Sequence, residues 1–345
     1  MTSPSADERL ALHEAQFKAA NELALQNPWL FALPFINQYD DIGQATDYLA
    51  AKNSRDFNWA ISFDEDFIAE LMYNGFLTMC ERLNPCQCVL LPKLHATRCV
   101  LQIEDLHIFR SSKKKAKRFS FSCDRAFDSV CNSIVEQHGE NWFHKPLVAA
   151  FKKMNSRRVQ GCFNGKVFMH SFELWSSETG ALVAGEIGYS CGTCYTSLSG
   201  FSKVNSAGSV QMAATGALLK SFGFVLWDLG MQLDYKEKMG AVNISRVEFL
   251  QRLAACRNVS VAPYLKLEGI KPADDVIKMF PPKKQTGSKQ LAPNPLSKKQ
   301  EKKQAKRLRV LQRKAEKRSM MLSGSATPPV PPPVAGTPPP TNSTE

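Results

Sequence analysis

One carboxylate lies at the end of a short apolar run in the stretch GFVLWDLGMQLDYKEKMGA, residues 223–241. The run FVLWDL has the composition of a buried strand, and Asp228 is its charged residue. A carboxylate taken out of water is costly unless it is paired or used in chemistry. Asp228 is therefore a candidate catalytic residue. The structural alternative is a carboxylate that caps the loop after its strand.

A second carboxylate, Glu186, interrupts the apolar strand pattern LVAGEIGYS at residues 182–190. In a buried strand, Glu186 must be paired or protonated through a raised pKa. We hypothesise that Glu186 and Asp228 face a common cleft, where they would form an acid/base pair or bind a basic group. A register shift of one residue would instead turn Glu186 to solvent.

The ten cysteines and six histidines do not follow a metal-binding pattern. Cys191 and Cys194 form a lone C-x-x-C within a predicted strand, and Cys86 and Cys88 are the other close pair. A zinc site needs paired ligands on turns, so neither a metal site nor cysteine redox chemistry is predicted. His107 and His170 are predicted to be structural.

The basic residues are concentrated in two stretches. Residues 283–318 hold 14 Lys/Arg and 2 Asp/Glu, which accounts for the whole net charge of +12. That stretch is an RNA anchor, a nuclear signal or a solvating segment. The shorter stretch RSSKKKAKR at 110–118 could contact nucleic-acid phosphates or form a solvated helix face. Its candidate nucleic-acid contacts are Arg110, Lys113, Lys114, Lys115, Lys117 and Arg118.

Composition excludes several classes of protein. The hydrophobic fraction of 43% is that of a globular chain. The sequence has no apolar run of about 18 residues, and its start, MTSPSADERL, lacks a signal-peptide core. Ten cysteines without a secretory signal indicate reduced thiols, so we expect a cytoplasmic protein without membrane segments.

Periodicity predicts the elements that must position these groups. Capping boxes at Ser62–Glu65 and Ser245–Glu248 begin two helices, Asp124 is expected to cap a third, and small residues in the helix near 206–223 suit close packing on a sheet. A further helix begins near Lys145. The predicted strands are 98–103, 119–123, 167–175, 181–190, 192–199 and 224–229.

This order predicts an α+β or mixed α/β fold built on one sheet, which fits an acyl-CoA N-acyltransferase-like domain. We expect a helical extension at 1–27, a small N-terminal domain at 28–97, the N-acyltransferase-like domain at 98–275, and a basic, then Pro-rich, disordered tail at 276–345.

Six stretches, in order, resemble the leucyl/phenylalanyl-tRNA–protein transferases across about residues 64–252. They are FIAELMYNGFLTM, DLHIFRSSKKKAKRFSFSCDRAF, NWFHKPLVAAFKKMN, HSFELW, LVAGEIGYSCGTCYTSLSGFSKVNSAG and GFVLWDLGMQLDYKEKMGA.

The resemblance implies an aminoacyltransferase that moves Leu, Phe or Met from tRNA to the α-amino group of proteins beginning with Arg or Lys. The product is a degradation signal in cytoplasmic N-degron turnover. The partners would be aminoacyl-tRNA and a protein N-terminus, with no metal or organic cofactor, and a monomer is favoured. Asp228 would attract the acceptor amine, and the implied substrate contacts are Trp142, Ser199 and Glu173.

The chain departs from the family pattern at several positions. Gly230 replaces a Gln that would relay a proton, and Gln232, two residues on, would compensate if the segment stays extended. Leu198 replaces a Glu, and Glu186 replaces an apolar residue of the amino-acid pocket. The family's Trp–Trp–Ser–Pro–Asp–Pro run reads PKLHATR here.

Two other functions stay open. Glu186 favours an acyltransferase of the same fold that uses a different acyl donor. Gly230 and Leu198 favour an RNA-binding protein that has lost the chemistry.

Overall fold

The computed structural model describes residues 5–52, 55–259, 265 and 267–280, all within the compact unit Met1–Lys283. The predicted basic and Pro-rich stretches after residue 280 lie outside the described residues. In the described part of the chain, no helix is both long and apolar enough to cross a bilayer.

The described helices are α1 (Ala6–Gln26), α2 (Ile42–Ala51), α3 (Glu65–Tyr73), α4 (Arg110–Lys115), α5 (Phe127–His138), α6 (Lys145–Ser156), α7 (Ala207–Ser221), α8 (Asp234–Lys238), α9 (Arg246–Cys256) and α10 (Ala273–Lys278). Periodicity did not predict α2, α8 and α10. The strands are β1 (Leu77–Asn84), β2 (Gln87–Lys93), β3 (Thr97–Gln102), β4 (Phe119–Cys123), β5 (Phe168–Ser176), β6 (Leu182–Cys191), β7 (Cys194–Ser202), β8 (Leu226–Gly230), β9 (Val242–Ser245) and β10 (Lys271–Pro272).

Eight of these strands form one sheet in the order β10–β4–β5–β6–β7–β8–β3–β9, and β1 and β2 form a separate hairpin. β7 and β8 run parallel, whereas the other pairings in the large sheet are antiparallel. The mixed α/β prediction is confirmed. The β1–β2 hairpin and the short edge strands β9 and β10 were not predicted.

Helices cover both faces of the large sheet. On one side, which we call the α5 face, α3, α5 and α6 pack with Met169 and Tyr189, and α9 packs with Val100. On the opposite side, the α7 face, α7 and α10 pack with Tyr195 and Trp227. Successive strand residues point to opposite faces, so register decides which site each side chain can reach.

Two helices begin differently from the prediction. Asp64, not Ser62, caps α3, because its carboxylate accepts the N–H groups of Asp66 and Phe67. Asp124 does not cap α5, whose N-cap position is Ala126.

The third predicted start is confirmed. Ser245 caps α9, and its hydroxyl accepts the N–H of Glu248.

Close packing of α7 depends on Gly216. A Cβ at this position would lie 2.3 Å from Cδ2 of Leu106 and 2.9 Å from Cζ3 of Trp227. Such contacts force the neighbours to shift, and the Trp227 ring, which is fully buried, has little room to do so.

We therefore expect Gly216→Ala to lower the free energy of unfolding by about 1–3 kcal/mol, measured by urea titration. The control is Gly208→Ala in the same helix, where a Cβ would meet Ser202 at 3.5 Å, an ordinary contact. Gly208→Ala should be neutral or stabilising, since it restricts the unfolded chain. Equal losses in the two variants would show that close packing at Gly216 is not the cause.

Candidate active site

The parallel strands β7 and β8 pair over only three positions. Cys194, Tyr195 and Thr196 lie opposite Leu226, Trp227 and Asp228. β7 then continues to Ser202, whereas β8 ends at Gly230. Residues 197–200 of β7 are half-buried although they lie mid-strand. The two strands therefore separate beside both predicted carboxylates.

Asp228 is an ion-paired carboxylate with no exposed surface (0%). Its Oδ1 accepts hydrogen bonds from Nε of Arg98 and from the N–H of Gly230, each at 2.9 Å. Its Oδ2 accepts the Thr196 hydroxyl at 3.1 Å. The buried acid is thus paired, which satisfies the requirement that its position in the sequence imposed.

Arg98 is equally enclosed. Its Nη2 donates to the carbonyl of Gly75 at 3.0 Å, and its guanidinium lies 4.4 Å from the ring centre of Phe249. Nη1 has no hydrogen-bond partner among the described residues. Arg98 was not predicted as a site residue. The signal available was a charged residue in the apolar strand pattern RCVL.

Gly230 ends β8 because its backbone turns into the left-handed region at φ +69°. A residue with a Cβ, such as the Gln of the family pattern, is strained in this conformation. The segment after Asp228 is therefore not extended. Gln232 is exposed and its amide donates to Glu237 at 2.6 Å. The condition under which Gln232 would compensate for the missing Gln, an extended segment, is therefore not met.

Glu186 is nearly buried, with 5% of its surface exposed. Its carboxyl accepts hydrogen bonds from the hydroxyls of Tyr195 at 3.3 Å and Ser197 at 3.2 Å. Burial raises the pKa of Glu186 to about 7, against the opposing effect of hydrogen bonds from Ser197, Tyr195 and Gln211 and of the positive charge of Lys236. A carboxyl with this pKa can hold or release a proton at neutral pH.

The hypothesis that Glu186 and Asp228 share a cleft is wrong, because they lie on opposite faces of the sheet. Thr196 binds Asp228, whereas Tyr195 and Ser197, on either side of Thr196 in β7, bind Glu186. Neighbouring residues of a strand point to opposite faces. The Asp228 side chain therefore lies on the α5 face of the sheet, and the Glu186 side chain lies on the α7 face.

Lys236 is a buried cation that was not predicted as a site residue. Its ammonium donates to the carbonyls of Leu229 at 2.6 Å and Met231 at 2.9 Å. Burial lowers the pKa of Lys236, while the charges of Cys99, Asp228 and Glu186 act in the opposite direction. The lysine thus fixes the loop that follows β8. Nothing in the sequence indicated this burial, because a lysine in the polar stretch DYKEK has the pattern of a solvent-exposed residue.

The three predicted substrate contacts have different partners in the structure. Trp142 is half-buried and stacks on Phe143 at 4.8 Å. Ser199 is half-buried opposite Ile187 in β6. Glu173 has no exposed surface, and one of its oxygens accepts the N–H groups at the start of α5. Glu173 thereby fills the capping role that was predicted for Asp124.

The six basic residues of the 110–118 stretch are all exposed. Lys115 donates a hydrogen bond to the hydroxyl of Ser206, which precedes α7. This stretch therefore lies beside the beginning of α7 and leaves five cations without a protein partner in the hydrogen bonds of the described residues.

The close cysteine pair on the large sheet is enclosed. Cys191 and Cys194 lie opposite each other across the β6–β7 turn, and both are buried free thiols. Burial raises the pKa of each thiol.

The ring of His107, which was predicted to be structural, packs edge-on against the ring of Phe109.

The buried ion pair gives a prediction for stability. Asp228→Ala leaves the Arg98 charge buried without a counter-ion, so the free energy of unfolding should fall by about 3–5 kcal/mol. The double variant Arg98→Leu with Asp228→Leu removes both charges and should lose less. Urea titration measures both.

The matched control is Glu248→Ala, which removes the partly exposed pair with Arg252 and should change the unfolding free energy by less than about 1 kcal/mol. If the double variant is as unstable as Asp228→Ala alone, the uncompensated Arg98 charge is not the cause of the stability loss in the single variant.

Glu186 gives a prediction for pH. Its pKa is about 7 in the folded chain against 4.5 for the unperturbed group, so the folded state binds the proton more tightly. The stability that results is fully present below about pH 4.5 and is lost as the pH rises through about 7. Relative to Glu186→Gln, the wild-type free energy of unfolding should fall by about 3 kcal/mol between pH 4 and pH 8. If the unfolding free energies of the wild type and of Glu186→Gln change with pH in parallel, the raised pKa of Glu186 is contradicted.

Residues 100–254 match the family model described as leucyl/phenylalanyl-tRNA protein transferase. A protein of that name from Zymomonas mobilis is 30% identical over 161 residues, which are 45% of this chain and 56% of the relative. Another, from Pseudomonas paraeruginosa, is 30% identical over 168 residues, which are 47% of this chain and 70% of the relative. The chain thus spans little more than half the length of the first relative. Among solved structures, a probable N-acyltransferase from Enterococcus faecalis overlaps 59% of this chain and 47% of its own, with a TM-score of 0.31 and 10% identity. This chain belongs to the leucyl/phenylalanyl-tRNA protein transferase family.

Proposed function

We propose that this protein transfers Leu, Phe or Met from aminoacyl-tRNA to the α-amino group of proteins that begin with Arg or Lys. The transferred residue would mark the acceptor for turnover in the cytoplasm. Family membership supports the reaction class, because the relatives are named for transfer from leucyl- or phenylalanyl-tRNA to protein.

The observation that carries the proposal is the connection between the exposed basic stretch and Glu186 through α7. Lys115 contacts Ser206 immediately before α7, and the side chain of Gln211, near the start of the same helix, lowers the pKa of Glu186. Phosphates bound by the exposed cations would therefore lie at the end of α7 that reaches the buried acid.

Glu186 is the group best suited to proton transfer in the proposed reaction. The acceptor amine must be neutral to attack the ester carbonyl of aminoacyl-tRNA. A C–N bond forms, the C–O bond to the terminal ribose breaks, and the amine proton passes through Glu186 to the departing ribose oxygen. A base with a pKa of about 7 is matched to this task at neutral pH.

Asp228 is assigned a positioning role in this scheme. Its oxygens hold Arg98, Thr196 and the N–H of Gly230. These bonds fix the point where β7 and β8 separate, and so fix Tyr195 and Ser197 against Glu186. The ester is already activated, so positioning supplies much of the rate. Gln232 is left without a role.

A specific observation favours one alternative function. Both oxygens of Asp228 are occupied by protein donors, and the family's Gln is replaced by a glycine in a left-handed conformation. A family member whose central acid serves only the fold could bind aminoacyl-tRNA without transferring its amino acid.

The proposal is tested with labelled Leu-tRNA or Phe-tRNA and a peptide that begins with Arg. The wild-type transfer rate should rise with pH through about 7, as Glu186 loses its proton. Glu186→Gln should lower the rate by about 10²-fold or more, with tRNA affinity unchanged. Glu248→Gln, an exposed carboxylate in α9, is the matched control and should keep the full rate.

The outcomes separate the functions. Transfer that is unaffected by Glu186→Gln removes this residue from the chemistry. Retained tRNA binding without transfer, weakened by Lys113→Ala with Lys114→Ala and by salt, identifies the RNA-binding alternative. Absence of both activities overturns the proposal and indicates another acyl donor.

A further inference from the structure

A group of three potential metal ligands lies outside the candidate active site. Cys123, Asp124 and His170 each direct one ligand atom toward the others, and all three atoms lie within 4.8 Å of one another. Cys123 ends β4, Asp124 follows it, and His170 lies in the neighbouring strand β5. The group therefore joins two adjacent strands of the sheet.

Hydrogen bonds from the surrounding residues orient the histidine. Nδ1 of His170 lies 2.9 Å from Oδ2 of Asp124, to which it donates its proton when no ion is bound, and Nε2 lies 3.0 Å from the Ser190 hydroxyl. A bound ion would replace the Nδ1 proton, and Nε2 would then carry the proton and donate it to Ser190. A histidine that binds a metal through one nitrogen usually donates from the other to a fixed acceptor.

The aspartate is oriented in the same way. Its Oδ1 accepts the N–H of Ser171 at 2.7 Å and the amide of Asn155 at 3.3 Å. These bonds leave Oδ2 directed at His170. Asp124 adopts a left-handed backbone with φ +56°, which turns the chain after β4. Asp124 and His170 are thus each oriented by hydrogen bonds from neighbouring residues.

The donor set is specific in its chemistry. Magnesium and calcium take oxygen ligands, whereas one thiolate, one imidazole and one carboxylate suit zinc. A thiolate and a carboxylate together balance the charge of a divalent ion, so the complex would be neutral. Neutrality matters because Cys123 and His170 are buried, and an uncompensated charge there is costly.

We propose that Cys123, Asp124 and His170 bind a structural zinc ion that fastens β4 to β5. The carbonyl oxygen of Leu265, 3.8 Å from the Cys123 sulfur, or a water molecule supplies the fourth ligand. Zinc–ligand distances of about 2.0–2.3 Å require neighbouring ligand atoms roughly 3.5 Å apart. The three side chains need only small shifts from their present separations. Binding would displace the thiol proton and stabilise the folded chain.

The same residues also have the order of a Ser–His–Asp relay, with Ser190 bonded to His170 and His170 to Asp124. Both side chains are buried, and their hydrogen bonds link Ser190 of β6 to His170 of β5 and to Asp124. The competing explanation is therefore a hydrogen-bonded link between strands that needs no ion, and the experiment must separate it from a zinc site.

The test uses the full chain carrying Cys86→Ser and Cys88→Ser, which remove the exposed and half-exposed thiols of the β1–β2 hairpin. The protein is stripped with a chelator and titrated with zinc and, separately, with cobalt(II). One equivalent of each should bind. Cobalt should produce a thiolate-to-metal charge-transfer band, and zinc should raise the melting temperature.

Cys123→Ser and His170→Gln in this background should each lower zinc affinity by at least about 100-fold. The matched control is Cys131→Ser, a buried thiol on α5 at the other face, which should keep full affinity and the cobalt band. Circular dichroism establishes whether each variant is folded.

The unsubstituted ligands decide the proposal even where a variant fails to fold. Absence of stoichiometric binding, or a cobalt complex without a thiolate band, overturns the zinc site and leaves the hydrogen-bonded link. Loss of the band in Cys131→Ser as well would also overturn it, since the thiolate would then not be that of Cys123.

Discussion

The ion pair between Arg98 and Asp228 is the interaction on which the geometry of the site depends. Through it, β3 is tied to β8, to Thr196 of β7 and to the carbonyl of Gly75 at the end of α3. Phe249 of α9 covers the guanidinium. Two charges in the interior are tolerated because each is hydrogen-bonded to the other and to further partners. The ion pair thereby fixes how β3, β7, β8, α3 and α9 pack together at the point where β7 and β8 separate.

A second constraint follows from the alternation of side chains along β7. Thr196 holds the ion pair on the α5 face, so its neighbours Tyr195 and Ser197 must point to the α7 face, where Glu186 lies. The ion pair and the titratable acid are thereby separated by the thickness of one sheet while sharing one strand. A shift that loosened Thr196 would also move Tyr195 and Ser197, whose hydrogen bonds lower the pKa of Glu186 against the larger effect of burial.

Local patterns predicted much of this fold. Helical periodicity located α3, α5, α7 and α9, and the small residues of α7 indicated the close contact made at Gly216. The exposed basic stretch was also readable, since charged runs seldom bury. The sequence did not predict contacts between residues that are close in space but distant along the chain. Arg98 meets Asp228 across 130 positions, and Glu173, not Asp124, caps α5 because β5 passes beneath the helix.

The relation of the two acids shows why residue types alone were insufficient. Both were correctly identified as buried carboxylates that demand an explanation, yet their faces depend on register, and β6 and β7 are offset by an irregularity between Ile187 and Gly188. Gly230 adds a backbone turn that no alternation rule anticipates. With a glycine there, Asp228 has no side-chain amide two residues on, and its oxygens accept three hydrogen bonds from Arg98, Thr196 and the N–H of Gly230. Glu186, by contrast, keeps a pKa near neutrality and a small exposed surface. If this chain transfers an acyl group, the physical properties of its two acids place the proton transfer on the α7 face and leave the α5 face to hold the strands.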